Sequence, residues 1–207
     1  GGTVNTSLNT VTVTAMNDFA RHTMGPGVAV ASLTLTPEGM YNSSTQRMNM
    51  RDTVRIQLRN AGSPYAVVDS AKGVVDSVTL TVQVLFPNAP NGNYYIAVKH
   101  RNSIETWSAA PQVYNVGSSL VYNFTSAQSQ AFGDNMRLKG TRWVFFSGDV
   151  NQDGAVDATD VQAVDNDASN FVSGYVRTDL NGDGFVDGSD FTIGDNSAFN
   201  FVSKIVP

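Results

Sequence analysis

One twelve-residue pattern is written twice in the last third of the chain, starting at Asp149 and again at Asp179. Each copy places Asp or Asn at positions 1, 3, 5, 9 and 12, and a glycine at position 6. This spacing is typical of a calcium loop, in which position 7 adds its backbone carbonyl oxygen. Calcium takes six to eight oxygen ligands, and the glycine, Gly154 or Gly184, permits the tight turn that lets a short segment surround the ion.

The pattern therefore predicts two calcium ions, each held by five side chains and one backbone carbonyl. The predicted ligands of the first ion are Asp149, Asn151, Asp153, Asp157 and Asp160 with the carbonyl of Ala155. The predicted ligands of the second ion are Asp179, Asn181, Asp183, Asp187 and Asp190 with the carbonyl of Phe185. The flanks repeat in the same register, because residues 170–173 and 200–203 both read Asn-Phe-Val-Ser. A chance pair of polar turns would not share its flanks.

On these residues, the segment 149–207 resembles the dockerin module of secreted bacterial proteins. It shares the loop-then-helix repeat, Asp rather than Glu at position 12, and an apolar residue at position 8, Val156 or Val186. The resemblance implies two calcium sites and docking to a cohesin-type receptor. Dockerins read their partners largely through loop positions 10 and 11, here Ala158-Thr159 and Gly188-Ser189. The next turns depart from the family, since residues 162–164 and 192–195 lack the basic residue of many dockerins.

Charge is distributed unevenly along the chain. Residues 1–148 hold 11 Lys and Arg against 7 Asp and Glu, whereas residues 149–207 hold 2 against 11. The acidity of the C-terminal segment is therefore mostly ligand charge, and it gives little indication of a basic partner. Without metal these carboxylates repel one another, so the segment is expected to loosen in a chelator.

Composition favours an exported β protein. Cysteine is absent, so calcium rather than disulfides is expected to stabilise the fold. No apolar run is long enough to span a bilayer, and the chain begins Gly1-Gly2, which favours a processed N-terminus. Because millimolar extracellular calcium suits modest sites, we expect the protein to be extracellular or at the cell surface.

The first two thirds of the chain consist of short segments of alternating polar and apolar residues. Strands are predicted at residues 28–35, 53–59, 65–69, 76–86, 93–100, 112–116, 120–124 and 142–146. Such spacing predicts a mainly β fold, an immunoglobulin-like antiparallel β-sandwich with a small C-terminal α domain. The expected division is an N-terminal strand segment at 1–24, the sandwich at 25–147 and the calcium-binding domain at 148–207. The expected core includes Phe86, Ile96, Trp107, Phe124 and Trp143.

The stretch from Tyr94 to Trp107 also looks like the β-module that precedes dockerin-like repeats in some secreted bacterial proteins. Nothing in the chain favours catalysis. Its two histidines, His22 and His100, lie in no catalytic motif, and no Gly-x-Ser-x-Gly elbow occurs. The cluster Lys99-His100-Arg101 is interpreted as a solvated rim at the end of a strand.

Three non-catalytic functions remain open, and the preferred one is a structural subunit of an extracellular filament. In it, the N-terminal strand crosses a hinge at Gly25-Pro26-Gly27 and completes the sheet of a neighbouring copy, giving a homopolymer. The alternative is an adaptor that docks to a cohesin-type receptor. The third is polysaccharide binding through exposed aromatic residues, for which the candidates are Tyr41, Tyr65, Tyr94, Tyr95, Tyr114 and Trp107.

Overall fold

The computed structural model describes residues 30–207. The predicted donor strand in residues 1–24 and the glycine hinge that follows it lie outside the described residues. We refer to residues 30–147 as the sandwich and to residues 148–207 as the loop module.

The sandwich contains twelve strands, and three short 3-10 helices at Phe124–Ser126, Gln128–Gln130 and Phe132–Asp134 lie between its tenth and eleventh strands. The strands are β1 Val30–Thr34, β2 Tyr41–Asn42, β3 Arg47–Met48, β4 Asp52–Asn60, β5 Val67–Val75, β6 Thr81–Leu85, β7 Gly92–His100, β8 Ser103–Trp107, β9 Gln112–Tyr114, β10 Leu120–Asn123, β11 Arg137–Lys139 and β12 Arg142–Val144.

Two sheets face each other across the apolar core. One has the strand order β10-β1-β6, and the other has the order β5-β4-β7-β8, with β9 paired to the beginning of β7. Strand β4 shows why these segments form strands: Val54, Ile56 and Leu58 are fully buried on one face while the residues between them point away. The predicted mainly β sandwich is confirmed.

One pair of strands differs from the antiparallel expectation. Strands β1 and β10 run parallel, with Ala31 opposite Leu120 and Thr34 opposite Asn123. An alternating pattern shows which face of a strand is buried, but it does not show the direction of the neighbouring strand, so the sequence could not reveal this pairing.

The predicted strand at 76–86 was too long at its beginning. Asp76 Oδ1 accepts hydrogen bonds from the backbone N–H groups of Val78 and Thr79, at 3.0 and 2.9 Å, and this aspartate turn replaces strand pairing. Val78 is consequently half exposed. Strand β8 was missed because all five of its residues are buried, which removes the alternation that identifies a strand.

The predicted core is confirmed. Phe86, Ile96, Trp107 and Phe124 are buried, and Trp143 is partly buried and packs against the central cluster. The ring of Phe124 makes edge contacts with Tyr122 and Phe145 at centroid distances of 4.8 and 5.1 Å.

Most of the aromatic residues considered for polysaccharide binding are core residues as well. Tyr41, Tyr94, Tyr114 and Trp107 are buried. The remaining two, Tyr65 and Tyr95, are half-buried and meet edge to face, with centroids 6.0 Å apart, rather than forming a flat exposed platform. Of the two alternatives that the sequence left open, this arrangement favours packing over sugar binding, because rings in strands pack across the sheets.

The loop module contains two helices, α1 Ala158–Ser169 and α2 Gly188–Phe199. They enclose a small apolar cluster that consists of Val150, Val164, Leu180 and Val186. A second cluster of Ile104, Val156 and Val202 joins the module to strand β8 of the sandwich. Within the described part of the chain, neither helix nor any other is long and apolar enough to cross a membrane.

Candidate metal centre

The aspartate at position 12 organises the backbone of each loop. Asp160 Oδ1 accepts hydrogen bonds from the N–H groups of Val150 and Asn151, at 2.9 and 3.1 Å, while its Oδ2 accepts one from Asp157 at 3.1 Å. Asp190 makes the same three bonds in the second loop, to the N–H groups of Leu180, Asn181 and Asp187. Both carboxylates are fully buried, so each ties the start of its loop to the first turn of the following helix.

The side chains at positions 3, 5 and 9 turn the loop by accepting hydrogen bonds from backbone N–H groups two residues ahead. In the first loop, the acceptors Asn151, Asp153 and Asp157 bond to the N–H groups of Asp153, Ala155 and Thr159 at 2.8, 3.0 and 2.7 Å. In the second loop, the equivalent bonds from Asp183, Phe185 and Ser189 measure 2.8, 2.9 and 2.7 Å. The two loops therefore share one backbone design, as the repeat predicts.

Position 1 of the first loop has an incomplete set of partners. Asp149 is 2% exposed, and its Oδ1 has no hydrogen-bond partner. Burial, followed by the charges of Asp160 and Asp153, raises the pKa of this carboxyl to about 6, although backbone hydrogen bonds from Gln152 and Gly154 oppose the rise. A buried carboxylate oxygen without a donor is costly, and a hard cation is the kind of ligand that satisfies it. The first loop therefore fits a calcium ion.

At position 1 of the second loop, both carboxylate oxygens have hydrogen-bond partners. Asp179 Oδ1 accepts a hydrogen bond from Gly182 N–H at 2.7 Å, and Oδ2 accepts one from Gly184 N–H at 3.2 Å. Arg101 of the sandwich places its Nη2 at 3.8 Å from Asp179 Oδ2. Burial raises the pKa of Asp179, although the Gly182 hydrogen bond and the charge of Arg101 oppose the rise. The two position-1 aspartates, Asp149 and Asp179, therefore have different surroundings.

Within residues 30–207, no group of three or more His, Cys, Asp or Glu side chains is arranged to hold a metal ion. The loop geometry explains this, because the acidic side chains at positions 5, 9 and 12 are bonded to backbone N–H groups. A calcium loop also draws on an amide side chain and a backbone carbonyl, so acidic groups alone are only part of its ligand set. The twelve predicted ligand residues stay a prediction.

Each loop is closed by the segment that follows the other helix. Val156 N–H donates to the Val202 carbonyl at 2.8 Å, and Val186 N–H donates to the Val172 carbonyl at 2.9 Å. Ala155 and Phe185, the two position-7 residues, pair with Ser203 and Ser173 in the same crossed manner. The sequence showed the repeated Asn-Phe-Val-Ser flanks, and the structure shows that they clamp the opposite loop.

The second loop is seated on the sandwich by a buried ionic cluster that the sequence analysis missed. Asp52 Oδ2 accepts a hydrogen bond from Arg101 Nε at 2.8 Å and lies 3.1 Å from His100 Nε2, while Oδ1 accepts the hydroxyl of Tyr175. The interpretation of residues 99–101 as a solvated rim was wrong for the last two, because His100 is 3% exposed and the Arg101 side chain 10%. The loop module covers them.

Close backbone contacts complete this junction. Asn102 Nδ2 donates to the carbonyls of Arg177 and Asp179, at 3.1 and 2.9 Å, and Asn49 Nδ2 donates to that of Asn181 at 2.9 Å. Gly39 lies so near that a Cβ there would be 2.2 Å from the Leu180 carbonyl oxygen. The second loop therefore rests directly on the sandwich.

Acidification is expected to stabilise the metal-free protein and to destabilise the calcium-loaded one. Burial raises the folded-state pKa of Asp149 to about 6 and also raises the pKa of Asp179 and Asp190, above the ordinary value of about 3.9. Between pH 7 and pH 5 the folded state then binds more protons than the unfolded state, so lowering the pH favours folding. Calcium binds the deprotonated carboxylates, so in the calcium-loaded protein lowering the pH weakens metal binding and disfavours folding.

Thermal unfolding at pH 7 and pH 5 measures this effect, once in calcium-depleted buffer and once in excess calcium. The midpoint should rise on acidification in the first series and fall in the second. A fall in both series would contradict the assignment of these carboxylates.

Comparison with known proteins agrees with the loop geometry. Residues 147–196 match the sequence model of the dockerin type I domain. A search among curated proteins gave no match. Two similar solved structures are interface mutants of a type II cohesin–X–dockerin complex from Acetivibrio cellulolyticus, altered at the C-terminal and the N-terminal interface. Each is 17% identical over 82% of this chain and 95% of that chain, with TM-scores of 0.48 and 0.49 respectively.

Proposed function

We propose that this protein is a non-catalytic adaptor that docks to a cohesin-type receptor in the presence of calcium, because residues 147–196 match the dockerin type I domain and follow a β-sandwich. The observation that carries the proposal is the family match, which lies on the two loops described above. The matched domain is a docking module and not a catalytic one. We further propose an extracellular or cell-surface location, where calcium is abundant, and a division between sandwich and docking domain at residues 147 and 148.

Calcium binding is the first part of this proposal. Each loop would hold one ion, through the oxygen-bearing residues at positions 1, 3, 5, 9 and 12 and the carbonyl at position 7. The lone Oδ1 of Asp149 and the backbone design shared by both loops support two ions. Bound calcium supplies the positive charge that offsets the carboxylates, and the loop residues fix the start of each helix.

The docking surface is the second part. Ala158 and Thr159 are exposed in the first turn of α1, and Gly188 and Ser189 are exposed at the same place in α2. Small side chains at these positions permit close approach of a partner. The Thr159 hydroxyl can make a specific hydrogen bond to it, and the Ser189 hydroxyl, which donates to Asp187 at 2.6 Å, can still accept one. Each helix also carries one exposed acidic side chain, Asp165 on α1 and Asp195 on α2.

The preferred filament function of the sequence analysis lacks support among the described residues. Its donor strand belongs to residues 1–24, which are not described, so the strand exchange stays an untested prediction. Within the sandwich, β1 is already paired on both sides, by β6 and β10. The mostly buried aromatic candidates give polysaccharide binding no support either.

Binding to a panel of type I and type II cohesins, measured by calorimetry in calcium and in EGTA, tests the proposal. In calcium, at least one cohesin should bind with a Kd below about 1 μM, which corresponds to a binding free energy of about −8 kcal/mol. In EGTA, none should bind. Because the two helices present equivalent residues, Ala158→Arg and Gly188→Arg are combined, and they should weaken binding at least about tenfold. No neighbouring atom lies within 4 Å of the Cβ position at Gly188, so the new side chain fits the fold.

The matched control combines Ala61→Arg and Gly62→Arg, the same two replacements at exposed positions between β4 and β5. A Cβ at Gly62 also has no neighbour within 4 Å. This variant should bind as tightly as the unaltered protein. A folded, calcium-loaded protein that binds no member of the panel would contradict the proposal, and fibres that disappear on deleting residues 1–20 would favour the filament instead.

A further inference from the structure

Arg101 introduces a fixed positive charge beside the second loop. Its Nη2 lies 3.8 Å from Oδ2 of Asp179, the position-1 residue of that loop. The guanidinium carbon lies 4.6 Å from the ring centroid of Tyr175, which belongs to the segment entering the loop. The sandwich thus contributes a charged group to one of the two candidate calcium sites.

The position of this guanidinium is tightly determined. Its Nε donates to Asp52, whose carboxylate is fully buried and also contacts His100 and Tyr175. Both Nη atoms of Arg101 are buried and have no hydrogen-bond partner, although one faces Asp179 at ion-pair distance. A buried charge is screened little by solvent or salt, so the part of the Arg101 charge that Asp52 does not balance acts on Asp179.

The first loop has no cation paired with its position-1 carboxylate among the described residues; the guanidinium of Arg177 instead donates from Nη1 to the Val150 carbonyl at 3.4 Å. In residues 30–207, Asp149 forms no ion pair, and its Oδ1 has no hydrogen-bond partner. The cation nearest to its glycine is Lys204, whose Nζ lies 3.6 Å from the Cβ position at Gly154. That side chain is 37% exposed and faces Glu105 at 3.9 Å, so water and Glu105 weaken its effect on the loop.

We propose that Arg101 makes the two calcium sites unequal, with the second loop held in place by the sandwich before metal binds and taking calcium more weakly than the first. This inference rests on the proposed calcium binding. In the metal-free protein, the guanidinium offsets part of the charge of Asp179. When calcium binds, the same charge repels the ion. Asp52 offsets part of this repulsion, so we expect a difference in Kd of about tenfold rather than several orders of magnitude.

Single-site variants make the two loops separately measurable by calorimetry. Asp149→Ala leaves only the second site, and Asp179→Ala leaves only the first. The Kd for calcium should be about tenfold higher in the Asp149→Ala protein than in the Asp179→Ala protein. This comparison does not alter Arg101, so it remains decisive even where an Arg101 variant fails to fold.

Arg101→Gln then tests the cause. On the Asp149→Ala background it should tighten calcium binding about tenfold, whereas on the Asp179→Ala background it should leave the Kd within about twofold. Arg101→Lys keeps the charge and should give a smaller change at the second site. Arg55→Gln removes the same charge from an exposed position of β4 and should change neither site. Tryptophan fluorescence of Trp107 and Trp143 verifies that each variant is folded.

The possible failures are distinguishable. Absence of calcium binding to the unaltered protein would contradict the proposed function itself. Two sites of equal affinity, or an Arg101→Gln effect of equal size at both loops, would overturn this inference while leaving calcium-dependent docking intact. Weaker binding at the second loop after Arg101→Gln would overturn it too, since Arg101 would then favour the ion.

Discussion

In calcium-depleted buffer, the loop module is expected to lose helical circular dichroism at a temperature well below the unfolding of the sandwich. Each helix has only 12 residues, a length at which an isolated helix is marginal in water. The apolar cluster between them has four buried side chains and six partly buried ones, a small core that supports the helices weakly by itself. Calcium at one hundred times its Kd adds about 2.7 kcal/mol for each site that binds it only in the folded state.

The two parts of the protein can be followed separately. Both tryptophans, Trp107 and Trp143, belong to the sandwich, whereas α1 and α2, the α-helices of residues 30–207, belong to the loop module. Fluorescence therefore reports the sandwich, and the signal at 222 nm reports mainly the module. Magnesium at equal concentration serves as the control ion. A helical signal that melts at the same temperature with and without calcium would contradict a role for the metal in folding.

Replacing Asp52 with alanine is expected to lower the free energy of unfolding by about 3–5 kcal/mol. The change leaves the buried Arg101 without its counter-charge and removes the acceptor for the Tyr175 hydroxyl. Asp52→Asn keeps the shape of the side chain and should cost less. Denaturant unfolding followed by fluorescence gives the difference between the variants and the unaltered protein. Asp195→Ala, an exposed aspartate on α2, is the control and should cost no more than about 0.5 kcal/mol.

The loss of unfolding free energy caused by Asp52→Ala should be smaller at acidic pH. Burial alone would raise the pKa of Asp52, but the hydrogen bond and charge of His100, together with hydrogen bonds from Tyr175 and Arg101, lower it well below its usual range. A depressed folded-state pKa gives stability that is present above the unfolded value of about 3.9 and is lost as the pH falls further. A loss under about 1 kcal/mol at pH 7 would show that the cluster does not seat the loop module.

The two loops could be predicted from the sequence because the predicted ligands of each loop lie within one turn-forming segment. Asp149 and Asp160 belong to the same twelve residues, and the spacing itself encodes the geometry. The core residues could also be predicted where apolar and polar residues alternate clearly, as in β4. Strand β8 could not be predicted because its residues are buried on both faces. The parallel pairing of β1 with β10 could not be predicted because the periodicity of a strand does not indicate the direction of its neighbour.

The junction between the sandwich and the loop module could not be predicted from the sequence, because it joins single polar residues that are far apart in the chain. Asp52 meets Arg101 across 49 positions and Tyr175 across 123. None of these residues repeats or follows a period, and a basic cluster at a strand end is ordinarily solvated. Only the fold shows that the second loop covers His100 and Arg101 and excludes water from them.

The central claim is that both acidic loops bind calcium, and the stoichiometry of a calorimetric titration tests it most directly. The unaltered protein should bind two calcium ions, Asp149→Ala and Asp179→Ala should each bind one, and the double variant should bind none. The same titration of a variant changed outside the loops, Asp195→Ala, should again give two. Failure of the unaltered protein to bind calcium, or an unchanged stoichiometry in both single variants, would contradict the account.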